Sequence, residues 1–205
     1  MSDRVELFGA DYSVYVRICR IALAEKGIDY TLRPIDVFAD GGPPRDYLDL
    51  NPFGRVPALR HGAFELYETG AITAYVDEAF EGPDLMPGDV KARARARQIM
   101  QLADNEIYAH LVWGVYVPWQ DANPMPGLQR ADLILGELER LAADHWMAGE
   151  QFSLADAYVY PMLDYFSSVP EGAEKLSEFA GLARWMMQTG DRESIILSQF
   201  SADKT

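Results

Sequence analysis

The period of apolar positions changes repeatedly between Val5 and Ala79 and then settles to that of helices. Val5–Phe8 is a short apolar-leaning run closed by Gly9, which predicts a strand. Val14, Ile18, Ile21 and Ala22 recur at helical spacing and Gly27 stands where a C-cap belongs, so a helix is expected over Val14–Lys26. Tyr30–Asp36 reads as a second strand. Phe38–Tyr47 carries two glycines and two prolines and predicts a loop, with room for a short helix after Pro44. Val56–Leu59 and Phe64–Tyr67 read as strands joined by a tight turn at His61-Gly62. A helix is expected over Thr69–Ala79.

The order β-α-β-loop-β-β-α describes one compact α/β unit. The stretch Glu81-Gly-Pro-Asp-Leu-Met-Pro-Gly88 is rich in breakers and reads as a linker. Beyond it the pattern is helical throughout. Helices are expected over 90–117, 128–143, 154–166 and 178–187, with Pro118, Pro124 and Pro126 interrupting the first. The expected organisation is therefore an α/β domain over 1–80, a linker over 81–88 and an all-helical domain over 89–205.

A chain of 205 residues can bury cores of this size. No apolar run approaches the ~20 residues a membrane helix needs, and the start lacks a basic segment followed by an apolar stretch, so neither a membrane span nor a signal peptide is expected. The single cysteine, Cys19, lies inside the first helix pattern and reads as core; it supports neither a disulfide framework nor a cysteine metal site, and a cytoplasmic setting fits. The formal charge of −14 argues against nucleic acid or anionic lipid as partners. The local exception, Lys91-Ala-Arg93-Ala-Arg95-Ala-Arg97, reads as a solvated helix face.

Three segments carry candidate chemistry. In Asn51-Pro52-Phe53-Gly54-Arg55-Val56-Pro57, a cis Val56-Pro57 bond would leave the backbone of Val56 free to pair with an extended peptide; an edge-strand proline without a ligand fits the same residues. Thr69 suits a helix N-cap, where free N–H groups favour a carboxylate, and Glu68 beside it could accept an ammonium. Together the pair suits an amino-acid head group, or is simply a capped helix. Ser13 stands between the first strand and the first helix. A hydroxyl there could donate to a thiolate, or serve only as an N-cap. Lowering a thiol pKa by ~2 requires about 2.7 kcal/mol, the order of one charge-assisted hydrogen bond plus a helix terminus.

In this order and at these separations, the segments resemble the soluble glutathione transferase superfamily. Ser13–Val16 followed by Ile21-Ala22-Leu23-Ala24-Glu25-Lys26-Gly27-Ile28 resembles the catalytic turn and first helix of its serine-type classes. Asn51-Pro52-x-Gly54-x-Val56-Pro57-Ala58-Leu59 resembles its cis-proline segment, and Glu68-Thr69-x-Ala71-Ile72 its γ-glutamyl site. Phe152-Ser153-Leu154-Ala155-Asp156 followed by Pro161 resembles the capping box of a buried helix in the second domain, and Leu182-Ala183-Arg184-Trp185 also matches.

The resemblance implies a thioredoxin-like N-terminal domain and an all-helical C-terminal domain. It also implies glutathione as co-substrate with no metal, a homodimer, and attack of a glutathione thiolate on an apolar electrophile. Isomerisation, peroxide reduction or a binding role without catalysis are alternatives on the same scaffold. Ser13 would hold the sulfur, Val56 and Pro57 the cysteinyl backbone, Glu68 and Thr69 the γ-glutamyl group, and Arg55 the glycyl carboxylate. Phe53 has the spacing of an aromatic that locks into a partner subunit in some classes. Tyr12 is the rival to Ser13, because a phenol is the better acid. In the loop before the cis-proline segment only Arg45 offers the polar residue many serine-type classes place there. Tyr12, Tyr15, Tyr108, Val112 and Tyr116 are the expected contacts for the second substrate, although the stripe Tyr108, Val112 and Tyr116 also fits core packing between helices; Trp119 lies nearby, Trp113 is expected in the core, and Trp146 and Trp185 in structural positions. His110 reads as a surface or packed residue.

Overall fold

The computed structural model describes residues 4–142 and 145–200. Contacts divide them into two units, residues 4–83 with 193–200 and residues 84–192.

The first unit is built on a four-stranded sheet of order β2-β1-β3-β4: β1 (Val5–Phe8), β2 (Thr31–Arg33), β3 (Ala58–His61) and β4 (Phe64–Tyr67). β1 runs parallel to β2 and antiparallel to β3, which runs antiparallel to β4. One strand is shorter than the sequence predicts and another is shifted: β2 covers three residues of the expected Tyr30–Asp36, and β3 lies two residues later than the expected Val56–Leu59. β2 stops before Pro34 and β3 begins after Pro57, because a proline has no N–H to place in a ladder. Side chains alternate across β1. Val5 and Leu7 are buried on one face, while Phe8 packs on the other against Tyr47 and Leu50. Tyr47 and Leu50 belong to α2 (Arg45–Leu50), the short helix anticipated after Pro44.

α1 (Val14–Glu25) and α3 (Thr69–Ala79) pack on each other through apolar stripes that include Ile18, Ile21, Ile72 and Val76, all fully buried. Cys19 is buried among them, which pushes its thiol pKa up. At the end of α1, Lys26 donates to Asp77 Oδ1 at 3.4 Å and to the Pro83 carbonyl at 3.2 Å, fixing the α1 terminus to the end of α3.

The second unit is helical. The single long helix expected over 90–117 is three consecutive stretches: α4 (Val90–Leu102), a π-helical stretch (Ala103–Tyr116) and α5 (Val117–Gln120). Within the π-helical stretch the Gly114 carbonyl accepts from Gly127 N at 3.0 Å, and a Cβ on Gly127 would sit 1.8 Å from the His110 carbonyl oxygen. Only a glycine lets these two backbones approach so closely. α6 (Leu128–Leu141) follows; Ala143, included in its expected span, lies outside the described residues.

α7 (Leu154–Ser167) is buried on nearly every side and packs on α4, on the π-helical stretch and on α8 (Pro170–Ser177). Its start carries the expected capping box. Asp156 accepts from Ser153 N, Ser153 Oγ, Met147 N and Trp185 Nε1, all at 2.8–2.9 Å. α9 (Ala180–Gly190) begins two residues later than expected.

Two helices were not anticipated. Pro170 opens α8 from the first helical position, where its missing N–H costs nothing. α10 (Glu193–Leu197) is a five-residue helix too short to show a period. The expected division placed everything after residue 89 in the helical domain. α10 and the residues to Phe200 instead group with the first unit, because they pack on α1.

Candidate active site

The registers bring three loops to one end of the sheet. Phe8 at the end of β1 pairs with Ala58 at the start of β3, and Ala58 pairs with Tyr67 at the end of β4. The turn leading to Ser13, the Val56-Pro57 step and the Glu68-Thr69 step therefore leave the sheet side by side, within one unit. Gly9 shows how closely the first two approach. Its φ is 153°, and a Cβ there would lie 2.3 Å from Val16 Cγ2 and 3.2 Å from Val56 Cβ. The chain passes between α1 and Val56 only because residue 9 has no side chain.

Ser13 caps α1 from extended backbone, φ −71° and ψ 125°, and its Oγ accepts from Val16 N at a long 3.5 Å. That contact uses a lone pair and leaves the hydroxyl proton available. The free N–H groups of the first turn point to the same end of the helix, and no acidic side chain occupies that turn. Tyr12 is arranged differently. Its hydroxyl donates to Asp36 Oδ1 at 2.8 Å. Burial, then the hydrogen bond to Asp36 and the charges of Asp36 and Asp11, push its pKa up to about 12. The Asp36 carboxyl is held below the usual range by the Phe38 N–H and by Tyr12. Tyr15 lies in the first turn of α1 and is partly buried.

The Val56-Pro57 peptide bond is cis, as the sequence suggested. The loop before it is tied at several points. Arg55 O accepts from Tyr47 Oη at 2.5 Å and from Asn51 Nδ2 at 2.7 Å, Asn51 Oδ1 accepts from Phe53 N at 3.1 Å, and Gly54 turns at φ 61°. Burial raises the Tyr47 phenol to about 12, so it remains a donor. Val56 itself lies outside the β3 ladder. The Arg55 side chain is exposed, as is Arg45 at the start of α2. Phe53 is 68% exposed and meets Tyr67 edge-on, so it does not pack into the core.

At the third step the structure corrects the expected cap. Thr69 is not the N-cap of α3; it is the first helical residue and is buried, and Glu68 occupies the cap position without a side-chain capping bond. Glu68 sits at φ 72°, an arrangement that costs a non-glycine residue about 1–3 kcal/mol. Its backbone turn leaves the Thr69, Gly70 and Ala71 N–H groups at an open helix terminus, the first intrahelical bond running from Ile72 N to Glu68 O. The Glu68 side chain is exposed beside them.

Tyr108, Val112 and Tyr116 lie on the π-helical stretch of the second unit. Val112 is 4% exposed and belongs to the helical core. Tyr116 stacks on Tyr165 of α7 at 4.5 Å and 26°, and Tyr108 meets Trp113 edge-on at 6.4 Å. Burial raises both phenols, and the Asp164 charge adds to it at Tyr116. Trp113, expected in the core, is 44% exposed: its position one residue after buried Val112 turns it to the outside of the helix. Trp119 is 41% exposed, and Trp185 is buried with its N–H spent on Asp156. His110 faces Glu106 at 3.6 Å on the surface.

The residue-by-residue reading missed Asp36, Asn51, Tyr47 and Tyr165. An Asn before Pro-x-Gly is a turn signal and could have marked Asn51. The other three are set by tertiary contact. Among the described residues no group of three or more His, Cys, Asp or Glu is placed to hold a metal, and no helix is long and apolar enough to cross a membrane.

Comparison with known proteins shows the family and the fold. A family model described as "Glutathione S-transferase, N-terminal domain" matches residues 7–84, and "Glutathione S-transferase, C-terminal domain" matches residues 91–186. The chain is 32% identical over 162 residues to glutathione S-transferase F14 of Arabidopsis thaliana, covering 72% of this chain and 63% of that protein, so it spans less than two thirds of that relative. It is 35% identical over 154 residues to the maleylacetoacetate isomerase of Pseudomonas aeruginosa, covering 70% of this chain and 73% of that one. The crystal structure of glutathione transferase F7 from Populus trichocarpa superposes with a TM-score of 0.81 at 25% identity, over 95% of this chain and 97% of that one. With both halves matched by its models and the fold shared almost end to end, the chain belongs to the glutathione S-transferase superfamily.

Proposed function

We propose that the protein binds glutathione at the sheet end described above and activates its thiol with the Ser13 hydroxyl for attack on an electrophile. The observation that carries this reading is the contrast between neighbours: among the described residues the Ser13 hydroxyl accepts from Val16 N and meets no acceptor for its proton, whereas the Tyr12 proton is held by Asp36. A thiolate at the N-terminus of α1 accepts from Ser13 and gains from the helix dipole. The Val56 backbone, outside the ladder, pairs with the cysteinyl residue, with Pro57 fixing the direction of the chain there. The open terminus at Thr69 takes the γ-glutamyl carboxylate, and Glu68 its ammonium. Arg55 reaches the glycyl carboxylate. Tyr15, in the first turn of α1, supplies aromatic surface for the electrophile on the first unit.

Calorimetric binding of glutathione and a thiolate absorbance titration test the reading on wild type and Ser13→Ala. We expect both to bind within a few-fold of each other. The bound thiol should titrate about 1.5–2 lower than free thiol in the wild type only, equivalent to about 2–2.7 kcal/mol. Turnover of Ser13→Ala should fall roughly 30- to 100-fold. Absence of glutathione binding by the wild type would sink the reading.

The identity to a maleylacetoacetate isomerase supports a second reading of the same site, in which the thiolate adds to a conjugated double bond, the adduct rotates, and elimination returns glutathione unchanged. Consumption of glutathione per turnover separates the two: one equivalent for transfer, none for isomerisation.

A further inference from the structure

Two buried donors converge on one backbone carbonyl. Tyr47 Oη donates to Arg55 O at 2.5 Å, and Asn51 Nδ2 donates to the same oxygen at 2.7 Å. Tyr47 is 3% exposed and Asn51 2% exposed. Tyr47 projects from α2, and its ring meets Phe8 of β1 at 6.3 Å between centroids in a cluster with Leu50 and Ala58. The phenol is therefore held by the sheet and not by the loop it bonds. Burial raises it to about 12, so its proton stays on the hydroxyl through the neutral range.

That carbonyl belongs to the peptide group joining Arg55 to Val56. Among the described residues only the next bond, Val56-Pro57, is cis, so this one is trans and its C=O and N–H point to opposite sides of the chain. With the carbonyl turned to Tyr47 and Asn51, the Val56 N–H is turned away from them. It lies outside the β3 ladder and meets no acceptor among the described residues. A carbonyl that accepts two hydrogen bonds is polarised, which makes the N–H of the same peptide group a stronger donor. Fixed direction and added polarity both favour an incoming carbonyl.

We infer that Tyr47 is a positioning residue for glutathione: through the Arg55 carbonyl it aims and strengthens the Val56 N–H as donor to the cysteinyl carbonyl, and so sets affinity without acting on the thiol. This rests on the glutathione site proposed above and adds to it a residue of α2. Asn51 bonds the same oxygen but also accepts from Phe53 N, so it holds the turn as a whole. The single Tyr47 proton goes to Arg55 O, which makes its removal the narrower change.

Calorimetry on the full chain compares the wild type with Tyr47→Phe, which keeps the ring and leaves Asn51 on the carbonyl. The ligands are glutathione, S-methylglutathione and a glutathione analogue whose cysteinyl C=O is reduced to a methylene. We expect Tyr47→Phe to raise the Kd of the first two roughly three- to tenfold, the order of one hydrogen bond, and to leave the Kd of the reduced analogue within twofold. The bound thiol should titrate where it does in the wild type, and KM for glutathione should rise while kcat at saturating glutathione stays within twofold. Tyr47→p-aminophenylalanine returns a donor at the same ring position and should bring the Kd for glutathione back within twofold of the wild type. Equal weakening of all three ligands, no rescue by the amino variant, or a Tyr47→Phe that binds glutathione as the wild type does overturns the inference and leaves the proposed function standing. No glutathione binding by the wild type removes both.

Discussion

Ser13 and Tyr12 are chain neighbours whose side chains meet opposite fates. The phenol is intrinsically the better acid, yet burial and the Asp36 carboxylate raise it to about 12 and commit its proton. A raised phenol stays protonated through the neutral range, so any ionisation seen in the rate between about pH 5 and 9 belongs to another group. We expect Tyr12→Phe to leave the inflection of the pH–rate profile in place and kcat within a few-fold of wild type. An inflection displaced by one pH unit or more would return the thiolate contact to Tyr12. The sequence named both residues but did not rank them by partner, since Asp36 lies twenty-four positions away and is brought to Tyr12 by the parallel pairing of β1 and β2.

At the scale of elements, those with a strong local signal were legible. Ser153 and Asp156 stand three apart ahead of an apolar run, and α7 begins there with both reciprocal bonds present. The same carboxylate also accepts from Met147 N and Trp185 Nε1, which no local rule indicates. Asp156→Ala would leave these buried donors without an acceptor. It should cost about 3–5 kcal/mol, read as a lower urea midpoint. Asp156→Glu, which keeps the charge but shifts the carboxylate by one methylene, should cost less. If Asp156→Ala unfolds at the wild-type midpoint, Asp156 does not hold the start of α7. Elements with weak signals went unread for identifiable reasons. α10 has only five residues, too few to show a period, and the strained cap at Glu68 is invisible in a sequence that places a good capping residue immediately after it.

At the scale of the molecule, the decisive difference is the end of the chain. Ile195 is fully buried and α10 covers α1, so the first unit is not contiguous in sequence. Ending the chain at Arg192 removes that cover and should lower the stability of the first unit by about 2–4 kcal/mol. Urea unfolding followed by proteolysis of α1 would register this as an earlier transition. Identical cleavage kinetics would mean that this segment adds nothing to that unit. The homodimer implied by family resemblance is tested separately by sedimentation, which should return twice the chain mass.

By itself, the sequence determined the order of elements in the α/β unit, the capping box of α7 and the membership of a family, and it offered the cis step at Val56-Pro57 as one of two readings, because each rests on local chemistry or on motifs kept in fixed order. Only the tertiary structure decided that the Tyr12 hydroxyl is committed to Asp36, that Trp113 faces outward while Val112 is buried, and that Phe200 reaches Tyr12. Those outcomes depend on groups far apart in the chain that meet through strand register and helix packing. The free energy of a proton, a charge or an aromatic ring is set by its neighbours in space, and residue spacing alone does not specify them.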